Sequence, residues 1–192
     1  MTRFTLKKTL LALLVLPILL SGCVGYKLVK QGEVKESDGF KLTAAGHDWS
    51  MIKLAGKRQW TFDGASLQRI QTLPAISSGK DLSNEKTDDT GMAFDSAMSE
   101  LEIMELFVRS FKPAYHQLKT LNLFPAKLDG HDGFEFDFTF KNAKGLDYQG
   151  VARGAVVQEK LYLIFYVGTQ VHYFKAHEQQ AREMINTAKI KL

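Results

Sequence analysis

Phe134-Glu135-Phe136-Asp137-Phe138-Thr139-Phe140 sets a phenylalanine at every second position with a polar residue between each pair. A period of two marks a β-strand with one face buried and the other wet. Further on, Leu146, Tyr148, Gly150, Ala152 and Gly154 alternate with Asp147, Gln149 and Arg153, which predicts a second strand. A loop over 141–145 joins the two as a hairpin. It sets Phe140 opposite Leu146, Phe138 opposite Tyr148, Phe136 opposite Gly150 and Phe134 opposite Ala152, so that large side chains meet small ones at the far end. A second tight loop, 158–160, returns the chain as 161–167, seven apolar or aromatic residues in a row. Such a run is a central strand covered on both faces, so layers lie on either side of this sheet.

Outward from this hairpin, two amphipathic segments supply those layers. Ser99 followed by Glu102 forms a capping box that opens a helix over 99–111. Ile103, Met104, Phe107, Val108 and Phe111 fall on one side of it, and Pro113 closes it. A closing helix over 173–188 carries Phe174, His177, Ala181, Ile185 and Ala188 along one stripe, and Ile190 and Leu192 extend into a last edge strand. Upstream, 40–44, 49–54 and 59–62 read as short strands. Tyr26, Leu28 and Val34 offer an earlier one, and Asp63-Gly64 is a turn that reverses the chain into 67–73. The stretch 77–91 has Leu82 as its one large apolar residue and reads as a mobile loop.

This order of elements gives an α+β domain, an antiparallel β-sheet sandwiched by helices, over 39–192. The small-residue strand, tight turn, apolar strand and terminal amphipathic helix of 150–189 resemble the Mog1/PsbP-like α/β/α sandwich. That resemblance implies a noncatalytic scaffold of the kind that serves in interaction or assembly. Trp60-Thr61-Phe62-Asp63-Gly64 is similar to a segment of small envelope lipoproteins of unassigned role.

The first 23 residues address the chain to a membrane. Arg3, Lys7 and Lys8 precede an apolar run over 10–20 that is too short to span a bilayer. Leu20-Ser21-Gly22-Cys23 then resembles the lipobox that signal peptidase II recognises, and Cys23 is the single cysteine of the chain. The resemblance implies cleavage after Gly22, a signal peptide of 1–22, and diacylglycerol on the Cys23 sulfur. Residues 23–38 then form the lipidated N-terminus, with room for a short tether. Two or three acyl chains, at about 0.8 kcal/mol per buried methylene, make such an anchor lasting. Val24, where enterobacterial lipoproteins kept in the inner membrane carry Asp, points to the outer membrane and a domain facing the periplasm.

Composition narrows the partners. The precursor's +4 formal charge belongs mostly to the leader: without Arg3, Lys7 and Lys8 there remain 22 Lys and Arg against 21 Asp and Glu. A near-neutral surface argues against nucleic acid. The expected partners are the membrane, through the Cys23 lipid, and a protein of the envelope.

Motifs for chemistry are incomplete. His177-Glu178-Gln179-Gln180-Ala181 lacks the second histidine of a zincin, which makes His177 a helix-face residue. Asp129-Gly130-His131-Asp132-Gly133 has two carboxylates in a turn, but an EF-hand would need Glu where Phe140 stands. No nucleophile elbow or phosphate loop is present, since Gly64-Ala65-Ser66-Leu67-Gln68 lacks its closing Gly and Gly79-Lys80 follows Pro74. Glu100, Glu102 and Glu105 are explained by the helix start. The expectation is a lipid-anchored, noncatalytic interaction or assembly module with no cofactor and no metal. The alternative is a carrier of a small apolar ligand such as a lipid, held between the Phe stripe and the Ser99 helix.

Overall fold

The computed structural model describes residues 25–54, 56–82 and 93–192. The lipobox residues Leu20, Ser21, Gly22 and Cys23 lie outside the described residues, as do 83–91 of the expected mobile loop. In chain order the strands are β1 (Lys27–Val29), β2 (Val34–Ser37), β3 (Phe40–Thr43), β4 (Trp49–Leu54), β5 (Lys57–Thr61) and β6 (Gln68–Ser77). Helix α1 (Glu100–Phe111) follows, then β7 (His116–Leu128), β8 (His131–Lys141), β9 (Asp147–Val157) and β10 (Lys160–Thr169). Helix α2 (Tyr173–Asn186) and β11 (Lys189–Ile190) close the chain.

Eight strands form one sheet in the order β1-β4-β5-β6-β10-β9-β8-β7, antiparallel throughout, and β11-β3-β2 form a small second sheet. Strand β10 lies in the middle and is buried along nearly its whole length, as a run of seven apolar residues requires. Its Leu161, Leu163, Phe165 and Val167 point to one core, and its Tyr162, Ile164 and Tyr166 to another. Helix α1 covers the first core. The second is covered by α2 and the small sheet, whose Phe40 and Leu42 are wholly buried.

Helix α1 starts as the capping box dictates. The Ser99 amide donates to Glu102 Oε2 at 2.8 Å, and Ser99 Oγ accepts from the Glu102 amide. The Ser99 backbone and hydroxyl bonds hold the Glu102 carboxyl below the usual carboxylate range. The buried stripe is Ile103, Leu106 and Phe107, so Leu106 takes a place that the expected list gave to Val108.

The β8–β9 register differs from the expected one by two residues: Phe140 pairs with Tyr148, Phe138 with Gly150, Phe136 with Ala152 and Phe134 with Gly154. The cause is the connection. Asn142 Oδ1 accepts from the amides of Lys144 and Leu146, and the Asn142 amide donates to the Leu146 carbonyl, which moves a loop of the same length one residue along the chain, from 141–145 to 142–146. A slip of two leaves every side chain on its own face, so the Phe stripe stays buried. It also seats Phe134 and Phe138 over glycines. A Cβ on Gly154 would stand 2.6 Å from Phe134 Cζ, and one on Gly150 would collide with the Phe138 ring.

Strand β7 has no counterpart in the sequence reading. It is an edge strand with two irregularities in its register, between His116 and Lys119 and between Leu121 and Phe124, where Gln117 and Asn122 adopt positive φ. Each irregularity resets the alternation, so no period of two survives in 116–128. The expected loop after β6 is anchored at both ends: the Gly79 amide donates to the Phe94 carbonyl and the Phe94 amide to the Lys80 carbonyl, and Leu82 and Phe94 are buried in the α1 core.

Candidate functional site

At the end of the sheet where β4 begins and β5 stops, two turns come against the first turns of α2. The Asp63-Gly64 turn is fixed by Thr61, whose hydroxyl donates to the Gln68 carbonyl at 2.7 Å and accepts from the Gly64 amide at 2.9 Å. The Gly46-His47-Asp48 turn lies directly on α2. Gly46 has φ +74° and a Cβ there would run into Gln180, so only glycine lets the turn settle. Trp49 holds the turn from below by donating its indole N–H to the Ala45 carbonyl at 3.0 Å.

These contacts bring together three titratable side chains that are far apart in the sequence. His177 Nε2 lies 2.6 Å from Asp63 Oδ2, His177 Nδ1 lies 3.3 Å from His47 Nε2, and His47 Nδ1 lies 3.1 Å from the Asp48 carbonyl oxygen. The two imidazoles meet edge to face, with an interplanar angle of 86°. Phe62 packs on both rings at centroid distances of 4.1 and 5.0 Å and is itself half exposed, and Trp49 stacks on His47 at 5.1 Å. A carboxylate and a carbonyl can only accept, so the proton on His177 sits at Nε2 and that on His47 at Nδ1. Beneath the group, burial raises the Tyr166 hydroxyl above its ordinary value, aided by the Glu178 and Asp63 charges; that hydroxyl donates to the Tyr173 and Phe174 carbonyls.

The series orients an imidazole as a general base would be oriented. Among the described residues, however, neither ring is joined to a hydroxyl or thiol, and the chain of bonds ends on a main-chain carbonyl. What the arrangement presents is a pair of imidazole nitrogens facing one another, with a carboxylate and a carbonyl behind them.

A second charged group ties α2 to the sheet. Glu135, 3% exposed, accepts from Arg153 Nε at 2.7 Å and from Arg182 Nη1 at 2.8 Å, while Arg182 also donates to Glu178 and Arg153 to Asn186. Burial works against the Arg182 charge, but Glu178 and Glu135 outweigh it and raise that guanidinium further. Every charge here has its counter-charge, which makes the group a clamp rather than a reactive centre.

The Asp129–Gly133 turn splits its two carboxylates between different jobs. Asp129 accepts from the Ile190 amide and from Lys189 Nζ, and Asp132 pairs with Lys127 at 2.6 Å. Burial opposes the Asp129 charge, yet the Lys189 ammonium and the Ile190 amide hold its carboxyl below the ordinary range. The two side chains therefore do not converge.

Of the residues singled out in the sequence, His177 is on its helix as expected, but its ring is mostly covered and takes part in the cluster. In the sequence Asp63 reads as a turn residue, and His47 falls between the short strands 40–44 and 49–54. Their one signal was the glycine beside each, which marks a turn and says nothing of where that turn lands.

No protein-family model matches this chain, and no curated protein matches it. Its fold is similar to the solution structure of cyanobacterial PsbP from Synechocystis sp. PCC 6803, with TM-score 0.53 and 10% identity over 90% of this chain and 96% of that one. The crystal structure of LpqN, involved in cell envelope biogenesis of Mycobacterium tuberculosis, aligns with TM-score 0.43 and 8% identity over 90% of this chain and 88% of LpqN. The first likeness shows that the chain has a PsbP-like α+β fold: a mostly antiparallel sheet with a helix on each side.

Proposed function

We propose that this chain is a noncatalytic interaction or assembly module of a bacterial cell envelope, held to the membrane by lipid on Cys23. The observation that carries this reading is the leader itself: basic residues, a short apolar run and Leu20-Ser21-Gly22-Cys23. The first strand supports it. Strand β1 begins at Lys27, so Cys23 and the sheet edge are separated by at most about 14 Å of extended chain. Among the described residues no helix is long and apolar enough to cross a membrane; in this reading attachment falls to the lipid. Val24 favours the outer membrane, with the domain on the periplasmic side.

The alternative, a carrier of a small apolar ligand, requires room between the Phe stripe and α1. That space is occupied by the Phe107 ring, which stands 5.3, 5.1 and 5.7 Å from the rings of Phe136, Phe138 and Phe165. The interaction module is therefore the better supported of the two.

Metabolic labelling with palmitate, followed by cross-linking in intact cells, tests the proposal. The wild-type chain is expected to take up label, sediment with membranes and cross-link to an envelope protein, and Cys23→Ala to lose the label. An unlabelled wild-type product, or one that cross-links to nothing, overturns it.

A further inference from the structure

The two inward-facing nitrogens of the histidine pair stand 3.3 Å apart with their outer nitrogens already engaged. His177 spends its ring proton on Asp63 and His47 spends its own on the Asp48 carbonyl, so His177 Nδ1 and His47 Nε2 turn bare lone pairs toward each other across 3.3 Å. A positive centre between them relieves the repulsion: a proton that makes His177 an imidazolium against the Asp63 carboxylate, or a metal ion bound by both nitrogens. We propose that this centre is a divalent transition metal ion of the zinc class, bound by His47 Nε2 and His177 Nδ1.

The spacing fits. Two imidazole nitrogens at about 2.0–2.1 Å from a tetrahedral zinc ion are separated by about 3.3 Å. The outer partners fit as well, because ligating histidines characteristically donate their other ring N–H to a carboxylate or a main-chain carbonyl, which fixes the tautomer and raises the basicity of the ligand. Asp63 and Asp48 supply one of each. Trp49 and Phe62 clamp the His47 ring in place. Imidazole nitrogen selects zinc, copper or nickel over calcium or magnesium. Among the described residues no three His, Cys, Asp or Glu side chains converge on one ion. The chain therefore supplies two ligands, and the remaining positions are open to water or to a ligand from outside. The site lies in the folded domain and does not depend on the lipid anchor.

The test is zinc binding by the full chain in detergent, measured by competition with a chromophoric chelator. One equivalent is expected on the wild-type chain. His47→Gln and His177→Gln should each weaken binding at least tenfold, and Asp63→Asn about tenfold through loss of its outer hydrogen bond. A readout that needs no variant follows the histidine ring nitrogens by NMR. Zinc should shift His47 Nε2 and His177 Nδ1 and leave His116, His131 and His172 in place. No saturable binding by the wild-type chain, unchanged affinity in both histidine variants, or shifts confined to the other three histidines would each overturn the assignment.

Discussion

On the α1 side of β8, Phe134, Phe136, Phe138 and Phe140 line up along the strand, and Phe107 and Phe165 pack against them. On the α2 side of the same strand, Glu135 takes bonds from two arginines and Asp137 lies near Arg182. One face of the sheet is held by area and shape, the other by a mixture of apolar burial and directed charge. The Glu135 clamp and the histidine pair both lie on the side covered by α2, with Arg182 and His177 supplied by that helix. Truncation should therefore cost packing on the first face and leave a charge without its partner on the second.

Phe107→Ala should break the first face most severely. Its ring touches those of Phe111, Phe136, Phe138 and Phe165, and a loss of about 3–5 kcal/mol is expected, seen as a lower urea midpoint at unchanged slope. On the second face, Glu135→Ala leaves Arg153, which is largely buried, without its counter-charge. About 3 kcal/mol is the expected cost. Replacing Glu135 and Arg153 together by apolar residues of similar size should recover most of it, because desolvation then disappears with the pair. A clamp that contributed only contact area would show no such recovery. Ser99→Ala removes the acceptor for the Glu102 amide and should cost about 1 kcal/mol in thermal unfolding.

The smallest effect is in acid. The Asp129 carboxyl titrates below its ordinary value in the folded chain, so its contribution is full above the unfolded value of about 3.9 and fades as pH falls through the folded value. The Ile190 amide shift should follow that titration below about pH 4, and Asp129→Asn should abolish the dependence.

How much could be read in advance varied with the element. Strands β8 and β10 and helix α1 announce themselves because the apolar pattern of each runs unbroken in the sequence: alternation in β8, a continuous run in β10 and three- and four-residue spacing in α1. Strand β7 was silent because Gln117 and Asn122 interrupt its alternation and because it lies at an edge, where few positions need be apolar. The β8–β9 register was off by two because a loop's length in sequence does not reveal which residue closes it; Asn142 does so with its side chain. Of the candidate site, His177 was visible only as a helix residue. Its partners come from 114 and 130 residues away.

By itself the sequence determined the α+β class, the central strand and the α1 cap, since each is a local pattern or a repeat of apolar residues. Only the tertiary structure decided that Asp63, His177 and His47 stand in line. That outcome depends on a glycine turn settling on Gln180, a contact between segments whose separation in sequence carries no trace of their distance in space.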